Sequence, residues 1–322
     1  MAGLWVKFWG TRGSIPVALD SATIRGKLTR AIVAAAGKGL DTRERARAWV
    51  ESELDFTVAH TFGGNSACVQ LDAGDKEYVL CDLGSGVRAF GNHVAARDGP
   101  SKPNVYHVFM SHLHWDHIMG FPFFAPAYVP GNTIRIYGCH KELESALRRQ
   151  QDAPCFPVPF HRLGASIEFV TLEPGRSYDV AGWSVTAKLQ AHSGDSYGYR
   201  FVRDGRVVVY TTDSEHRLDD PNAVEAAATF FADADLVIFD AMYSLAEAVS
   251  VKEDWGHSSN VVGVELCQLA NAKHLVLFHH EPANDDERIA QIWRETLRYE
   301  EISRSGEPLR ISMAYDGLEI EL

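Results

Sequence analysis

A histidine-rich loop directly after an apolar strand is the feature of this sequence that most constrains its fold. Residues 105–110 read Val-Tyr-His-Val-Phe-Met, which predicts a buried strand. The next loop places three imidazoles and one carboxylate within six residues, at His112, His114, Asp116 and His117. These donors are enough to begin two adjacent metal sites. Neutral imidazole and carboxylate suit zinc and related metals.

Composition and charge narrow the class of protein. The 322 residues are 46% hydrophobic and 23% charged, which is typical of a globular protein with a sizeable core. The formal net charge of −12 argues against a nucleic-acid partner, because such partners need basic surface. The five cysteines are widely spaced without a CxxC motif and predict free thiols in a reducing compartment. With no apparent signal peptide or membrane span, we expect a cytoplasmic protein and no membrane partner.

Short strands alternate with amphipathic helices along most of the chain. Strands are predicted at residues 4–9, 67–72, 78–82, 105–110, 133–137, 167–172, 183–190, 197–203, 206–211, 236–240, 274–278, 309–313 and 318–322. Helices are predicted at residues 87–97, 141–151, 221–232, 258–270 and 285–300. Asp204-Gly205 and Asp316-Gly317 each predict a hairpin between the strands beside them.

A charged helical stretch interrupts this alternation. We expect one domain, residues 1–322, with a helical insertion at about residues 17–61. Asp41-Thr42-Arg43-Glu44 fits a capping box inside the insertion. Ser258 or Ser259 is the expected N-cap of the helix that follows.

Metal-capable side chains recur at the ends of other predicted strands. They stand at Asp82, His192, Asp213, Asp240 and His279. In α/β proteins the loops outside the carboxyl ends of the strands build the site, so these side chains are expected to converge. His280 also follows a strand, but adjacent strand residues point to opposite faces, which favours His279 as the site residue.

The order of these motifs resembles the metallo-β-lactamase fold superfamily, and within it the branch of RNase Z and phosphodiesterases. The motifs are Gly10-Thr11-Arg12-Gly13-Ser14-Ile15-Pro16, Asn65-Ser66, Asp82-Leu83-Gly84-Ser85-Gly86, the HxHxDH loop, Tyr210-Thr211-Thr212-Asp213, Gly256-His257-Ser258-Ser259 and Leu277-Phe278-His279. The resemblance implies an α/β fold, a four-layer αββα sandwich of the metallo-β-lactamase type.

The resemblance also implies a ligand set for two divalent metal ions. His112, His114 and His192 would bind the first ion, Asp116, His117 and His279 the second, and Asp213 would bridge them. Zinc fits these ligands best, although manganese and iron also accept nitrogen and oxygen. Two such ions can share a hydroxide and activate it at neutral pH. Catalytic roles fall to Asp116, Asp213 and His257, with His257 facing the substrate.

The function expected from this resemblance is a binuclear metal-dependent phosphodiesterase that uses a metal-bridging hydroxide. Its substrate would be a small phosphodiester, such as a cyclic nucleotide or another cyclic phosphate. Three alternatives stay open: an RNase Z-type tRNA 3′-endonuclease, a hydrolase of carboxylic esters, thioesters or lactams, and a non-catalytic metal-loaded sensor. Members of the branch are often dimers, so a homodimer is an alternative to a monomer.

Neighbouring residues are expected to support the site. Asp82 is predicted to orient a ligand histidine, and Asp240 could do the same. Trp115 and the run Phe121-Pro122-Phe123-Phe124 are expected to wall the pocket.

Overall fold

Two seven-stranded sheets form the centre of the protein. The computed structural model describes residues 3–243 and 256–322. The strands are β1 (Trp5–Gly10), β2 (Cys68–Asp72), β3 (Glu77–Cys81), β4 (Val105–Phe109), β5 (Thr133–Gly138), β6 (Ser166–Thr171), β7 (Ser177–Val180), β8 (Trp183–Gln190), β9 (Ser196–Arg203), β10 (Arg206–Thr211), β11 (Leu236–Asp240), β12 (His274–Phe278), β13 (Arg310–Met313) and β14 (Glu319–Glu321). The spatial order is β14-β1-β2-β3-β4-β5-β6 in the first sheet and β13-β12-β11-β10-β9-β8-β7 in the second.

Parallel strands in both sheets bring their carboxyl ends into line. In the first sheet β3, β4 and β5 are parallel, with Cys81, Phe109 and Tyr137 side by side. In the second sheet β10, β11 and β12 are parallel, with Thr211 beside Phe239. Residues that directly follow these strands therefore gather at one edge of each sheet.

Helices cover the outer face of each sheet. The helices are α1 (Ser21–Ala35), α2 (Arg43–Ser52), α3 (Phe56–Ala59), α4 (Val87–Asp98), α5 (Trp115–Ile118), α6 (Leu143–Arg149), α7 (Pro221–Phe231), α8 (Asn260–Leu269) and α9 (Asp286–Ser303). Helices α4 and α6 pack on the first sheet, and α7, α8 and α9 pack on the second. Large side chains such as Phe109, Trp183 and Tyr210 fill the space between the sheets. The predicted four-layer αββα sandwich is confirmed.

The insertion is held to the body of the protein by a buried ion pair. Lys27 of α1 lies 2.7 Å from Asp286 of α9 and also donates hydrogen bonds to the carbonyls of Thr57 and His60. Because a buried ammonium group needs partners, these contacts fix α1 and α3 against α9. No helix among the described residues is long and apolar enough to cross a lipid bilayer.

The structure corrects one of the two predicted hairpins. Asp204 and Gly205 do join β9 to β10, and both have positive φ, as a two-residue hairpin turn requires. Asp316-Gly317 instead carries the chain from β13 in one sheet to β14 in the other. The Asp316 carboxylate accepts hydrogen bonds from the backbone of Gly64 and Asn65, so this turn is held by a distant loop rather than by a neighbouring strand.

Smaller differences concern an edge strand and helix caps. Strand β7 was not predicted, because an edge strand reading Ser-Tyr-Asp-Val lacks a buried apolar run. The capping box starting at Asp41 is wrong, since the N-cap of α2 is Thr42, whose hydroxyl accepts from the Arg45 amide. Ser259 caps α8, while the Ser258 hydroxyl bonds elsewhere, to the Ser214 carbonyl.

Candidate metal centre

The metal-capable residues lie at the shared edge of the two sheets. His192, Asp213 and His279 follow β8, β10 and β12, and the HxHxDH loop follows β4. Asp82, Asp213 and His279 have φ values of 61°, 43° and 63°, in the left-handed region that non-glycine residues seldom adopt. Such strained positions persist only where the surrounding structure holds them, and they concentrate at functional sites.

The first cluster contains the donor atoms of His112, His114, His192 and Asp213, all within 4.8 Å of one another. His192 Nε2 lies 3.2 Å from His114 Nδ1. Asp213 Oδ2 lies 3.6 Å from His112 Nε2 and 3.7 Å from His192 Nε2. Three imidazoles and one carboxylate oxygen therefore face a common point.

The second cluster contains Asp116, His117, Asp213 and His279, also within 4.8 Å. His117 Nε2 and His279 Nε2 are 3.3 Å apart, and each lies 3.2 Å from Asp116 Oδ2 and from Asp213 Oδ1. The two oxygens of Asp213 thus face different clusters. This orientation suits a carboxylate that bridges two ions.

The donor sets fit divalent metal ions. Ligand atoms bound tetrahedrally at 2.0–2.1 Å from zinc are about 3.3 Å apart, close to the spacing in the second cluster. His112 Nε2 is buried and has no hydrogen-bond partner among the described residues, although it faces the first cluster. A buried polar atom without a partner is costly, and a metal ion at this point would satisfy it.

Hydrogen bonds outside the clusters fix which ring nitrogen faces inward. His117 Nδ1 donates to Asp82 Oδ2 at 2.8 Å, and His192 Nδ1 donates to the Gly256 carbonyl at 2.8 Å. In both rings Nε2 is left to face the cluster. Contacts of this kind orient metal-binding histidines and set their tautomer.

The electrostatics of the two clusters differ. Burial lowers the pKa of His112, His114 and His192, so these rings are neutral at pH 7, the form that binds metal. Burial also opposes a charge on His117, but the carboxylates around it outweigh this effect and raise its pKa well above the ordinary value. The second cluster therefore attracts positive charge, which a bound metal ion would provide.

The Asp82 carboxylate accepts several hydrogen bonds next to the second cluster. It accepts from the Ser111 amide and hydroxyl at 2.7 Å, from His117 Nδ1 at 2.8 Å and from the Tyr210 hydroxyl at 2.7 Å. The predicted contact between Asp82 and a ligand histidine is present. Ser111 and Tyr210 were not predicted as partners, because their hydroxyls reach Asp82 only in the folded sheet.

Replacing Asp82 by asparagine is expected to weaken metal retention by about 10- to 100-fold, the usual effect of losing such a supporting carboxylate. On either side of the carboxamide, the NH₂ group would face an N–H donor, the Ser111 amide or His117 Nδ1, so the contact that orients His117 would be disturbed. Metal content after dialysis against graded chelator would measure the change. Tyr210→Phe removes one donor but keeps the carboxylate on His117, so it should retain metal far better; equal losses in both variants would contradict this role for Asp82.

His257 lies beside both clusters and is paired with Asp240. His257 Nδ1 donates to Asp240 Oδ2 at 2.8 Å, and its ring centroid lies 5.1 Å from that of His192 and 5.3 Å from that of His279. Burial lowers the pKa of His257, but the charge of Asp240 and further carboxylates outweighs it and raises the pKa to about 9. Asp240 therefore orients His257. The other carboxylate oxygen, Asp240 Oδ1, lies 3.8 Å from His279 Nδ1.

The predictions for the aromatic residues of the pocket wall and for His280 have different outcomes. Phe121 and Phe124 are buried in the outer helix layer and do not wall a pocket. Phe123 and Trp115 are exposed, so their predicted place in the pocket wall stays a prediction. His280 is turned away from the clusters, with Nε2 bonded to the Ala314 carbonyl at 2.8 Å, as strand alternation predicted.

The loop after β1 contributes contacts that sequence reasoning did not assign. The Ser14 amide donates to Asp116 Oδ2 at 2.8 Å and helps to orient that carboxylate. A Cβ atom on Gly13 would lie 2.6 Å from His279 Nδ1, so only glycine fits against the imidazole. The Gly-Ser pair in the Gly10–Pro16 motif was the available signal, but its partners lie more than 100 residues away.

Two facing sheets with outer helices, and histidine–aspartate clusters at their shared edge, define the metallo-β-lactamase-fold hydrolases. Residues 77–280 match the family model described as the beta-lactamase superfamily domain, and the chain belongs to this family. The fold and its clusters imply that the protein binds divalent metal.

Similar proteins place the chain within the superfamily. A ribonuclease Z from Geobacillus kaustophilus (strain HTA426) is 25% identical over 280 residues, covering 72% of this chain and 87% of that protein. The metallo-beta-lactamase fold protein YhfI from Bacillus subtilis superposes with a TM-score of 0.65 at 17% identity, and yeast PDE1 with 0.65 at 15%, each over 100% of both chains. The predicted membership of the metallo-β-lactamase fold superfamily is confirmed.

Proposed function

We propose that the protein is a binuclear metal-dependent phosphodiesterase that acts on a small substrate, such as a cyclic nucleotide or another cyclic phosphate. The observation that carries this proposal is the orientation of Asp213. Its Oδ1 lies 3.2 Å from two donors of one cluster, and its Oδ2 lies 3.6 Å from His112 in the other. Two ions held this close together suit phosphoryl chemistry, which must stabilise both attacking and leaving oxygens.

The proposed metal ligands are the seven residues of the two clusters. Zinc is the proposed metal because it fits a set of five imidazoles and two carboxylates best. When bound, two divalent ions would supply an activated water nucleophile and stabilise charge on the phosphoryl oxygens. Asp213 sets the spacing of the two clusters. The Ser14 amide orients Asp116, and Asp82 orients His117.

His257 is the proposed proton donor to the leaving oxygen. Its Nδ1 is occupied by Asp240, so Nε2 is the nitrogen left for the substrate. The His257 ring lies against His192 and His279, one residue from each cluster. A phosphodiester bound between the two clusters would therefore lie beside His257. A positioned acid of this kind contributes about 100- to 10,000-fold to the rate.

Ribonuclease Z activity is the second candidate, favoured by the relatives of that name. The formal charge of −12 speaks against it, because binding along a nucleic-acid backbone depends on lysine and arginine. A small phosphodiester needs no such track.

The proposed function can be tested with metal-analysed protein and bis-p-nitrophenyl phosphate. We expect turnover that disappears with a chelator and returns with zinc, together with little cleavage of precursor tRNA. If precursor tRNA is cleaved with a far higher kcat/KM than bis-p-nitrophenyl phosphate, the substrate is RNA and not a small phosphodiester. No phosphodiester turnover, combined with hydrolysis of a thioester or a lactam, would overturn the proposal.

A further inference from the structure

An exposed indole stands at the metal centre. Trp115 is 80% exposed, more than any other large apolar side chain among the described residues. It lies in sequence between His114 of the first cluster and Asp116 of the second. A tryptophan normally buries most of its ring, so one left open beside a catalytic centre marks a surface where a ligand binds.

The backbone that carries this indole is fixed. Trp115 begins α5, where its carbonyl accepts from the Met119 amide at 2.7 Å and the His114 carbonyl accepts from the His117 amide at 3.1 Å. The side chains on either side belong to the two clusters. The backbone of Trp115 therefore cannot move far unless proposed metal ligands move with it, so a ligand that binds the indole has only two side-chain torsions to order.

A second exposed apolar side chain lies near the same carboxylate. The Ser14 amide contacts Asp116 Oδ2 at 2.8 Å, and the next residue, Ile15, is 57% exposed. Trp115 and Ile15 are thus attached to the two segments that meet at Asp116. Both side chains are exposed and apolar in a chain that is strongly acidic overall.

We propose that Trp115 determines specificity by stacking against an aromatic base of the substrate. The substrate class is then a nucleotide-type phosphodiester rather than an aliphatic one, an inference that rests on the proposed phosphodiesterase function. A flat indole face favours a flat π-system over an alkyl group of similar size. Stacking of a base on one aromatic side chain corresponds to about 10- to 100-fold in affinity.

The kinetic test uses two five-membered cyclic phosphodiesters, adenosine 2′,3′-cyclic phosphate and the base-free glycerol 1,2-cyclic phosphate. Wild type is expected to prefer the adenosine compound, and Trp115→Ala to lower that preference in kcat/KM by about 10- to 100-fold, mainly through KM. Trp115→Phe should restore most of the preference. Ile302→Ala is the control for loss of an exposed apolar side chain. Ile302 is 69% exposed on α9, which leads into the amino end of β13, whereas the clusters lie at the carboxyl ends of the strands.

A binding measurement separates this inference from the proposed function. By calorimetry, AMP should bind wild type more tightly than ribose 5-phosphate does, and Trp115→Ala should remove the difference. Equal affinities in wild type, or an AMP advantage that survives in Trp115→Ala, would overturn the role of Trp115. A preserved AMP advantage in a protein that hydrolyses no phosphodiester would overturn the proposed function instead.

Discussion

Replacing Asp213 by alanine is expected to abolish hydrolysis and to release metal from both clusters. Asp213 is the one residue that belongs to both donor sets, and its two oxygens face different clusters. Without it, the five imidazoles at the centre lose the carboxylate shared by both clusters, and among the described donors Asp116 alone remains to balance the charge of the ions. A loss of several kcal/mol of metal-based stabilisation corresponds to about a thousandfold or more in rate.

The measurement combines metal analysis after dialysis with kcat/KM on bis-p-nitrophenyl phosphate. Asp213 has a φ of 43°, so Asp213→Asn is the companion variant, because asparagine tolerates this backbone conformation. Asp233→Ala is the control for backbone strain, since Asp233 is exposed with a φ of 52° and lies outside both clusters; it also removes the hydrogen bond that Asn271 donates to Asp233. Near-normal turnover with two metals per chain in Asp213→Ala would refute the bridging role.

Replacing His257 by alanine is expected to leave metal content unchanged and to lower kcat by about 100- to 10,000-fold. His257 belongs to neither of the two clusters that share Asp213. Its donor atoms group instead with those of Asp240 and His279, and its ring also contacts His192. If it donates a proton to the leaving oxygen, the loss must depend on the leaving group. The defect should be largest for an alkoxide and much smaller for p-nitrophenolate.

The comparison therefore needs both an alkyl and a p-nitrophenyl diester, with metal stoichiometry measured on the same preparations. Asp240→Asn serves as the intermediate case, because it keeps the imidazole but removes the carboxylate that orients it. Equal defects on the two diesters would show that His257 is not the proton donor. Loss of metal in His257→Ala would make it a ligand instead.

Local patterns predicted much of the architecture. Buried parallel strands such as β4 and β12 are continuous apolar runs, and those runs are visible without knowledge of their neighbours. The edge strand β7 has no such run and forms only because β8 offers it backbone partners. Local sequence also failed at Asp316-Gly317, which has the residues of a hairpin turn. There the chain crosses from one sheet to the other, and a distant loop binds the Asp316 carboxylate.

The candidate site also combines donors that the sequence predicted with contacts that only the folded structure shows. Four donors of the HxHxDH loop are neighbours in the chain, and strand alternation distinguished His279 from His280. The positions of His192 and Asp213 after predicted strands predicted that they would converge with these donors, and family resemblance assigned them as ligands. The contacts of Asp82 with Ser111 and Tyr210, and of Ser14 with Asp116, span distant parts of the chain and were not visible.

The sequence by itself determined the alternation of strands and helices and the chemical identity of the donors, because both depend on residue type and on short-range periodicity. The αββα layering was implied by the resemblance to the metallo-β-lactamase superfamily. The tertiary structure decided which oxygen of Asp213 faces which cluster, and that Asp240 pairs with His257. It also decided that Trp115 stays exposed while Phe121 and Phe124 are buried. After a strand ends, no regular period fixes the direction of a side chain, so only packing against distant segments can set it.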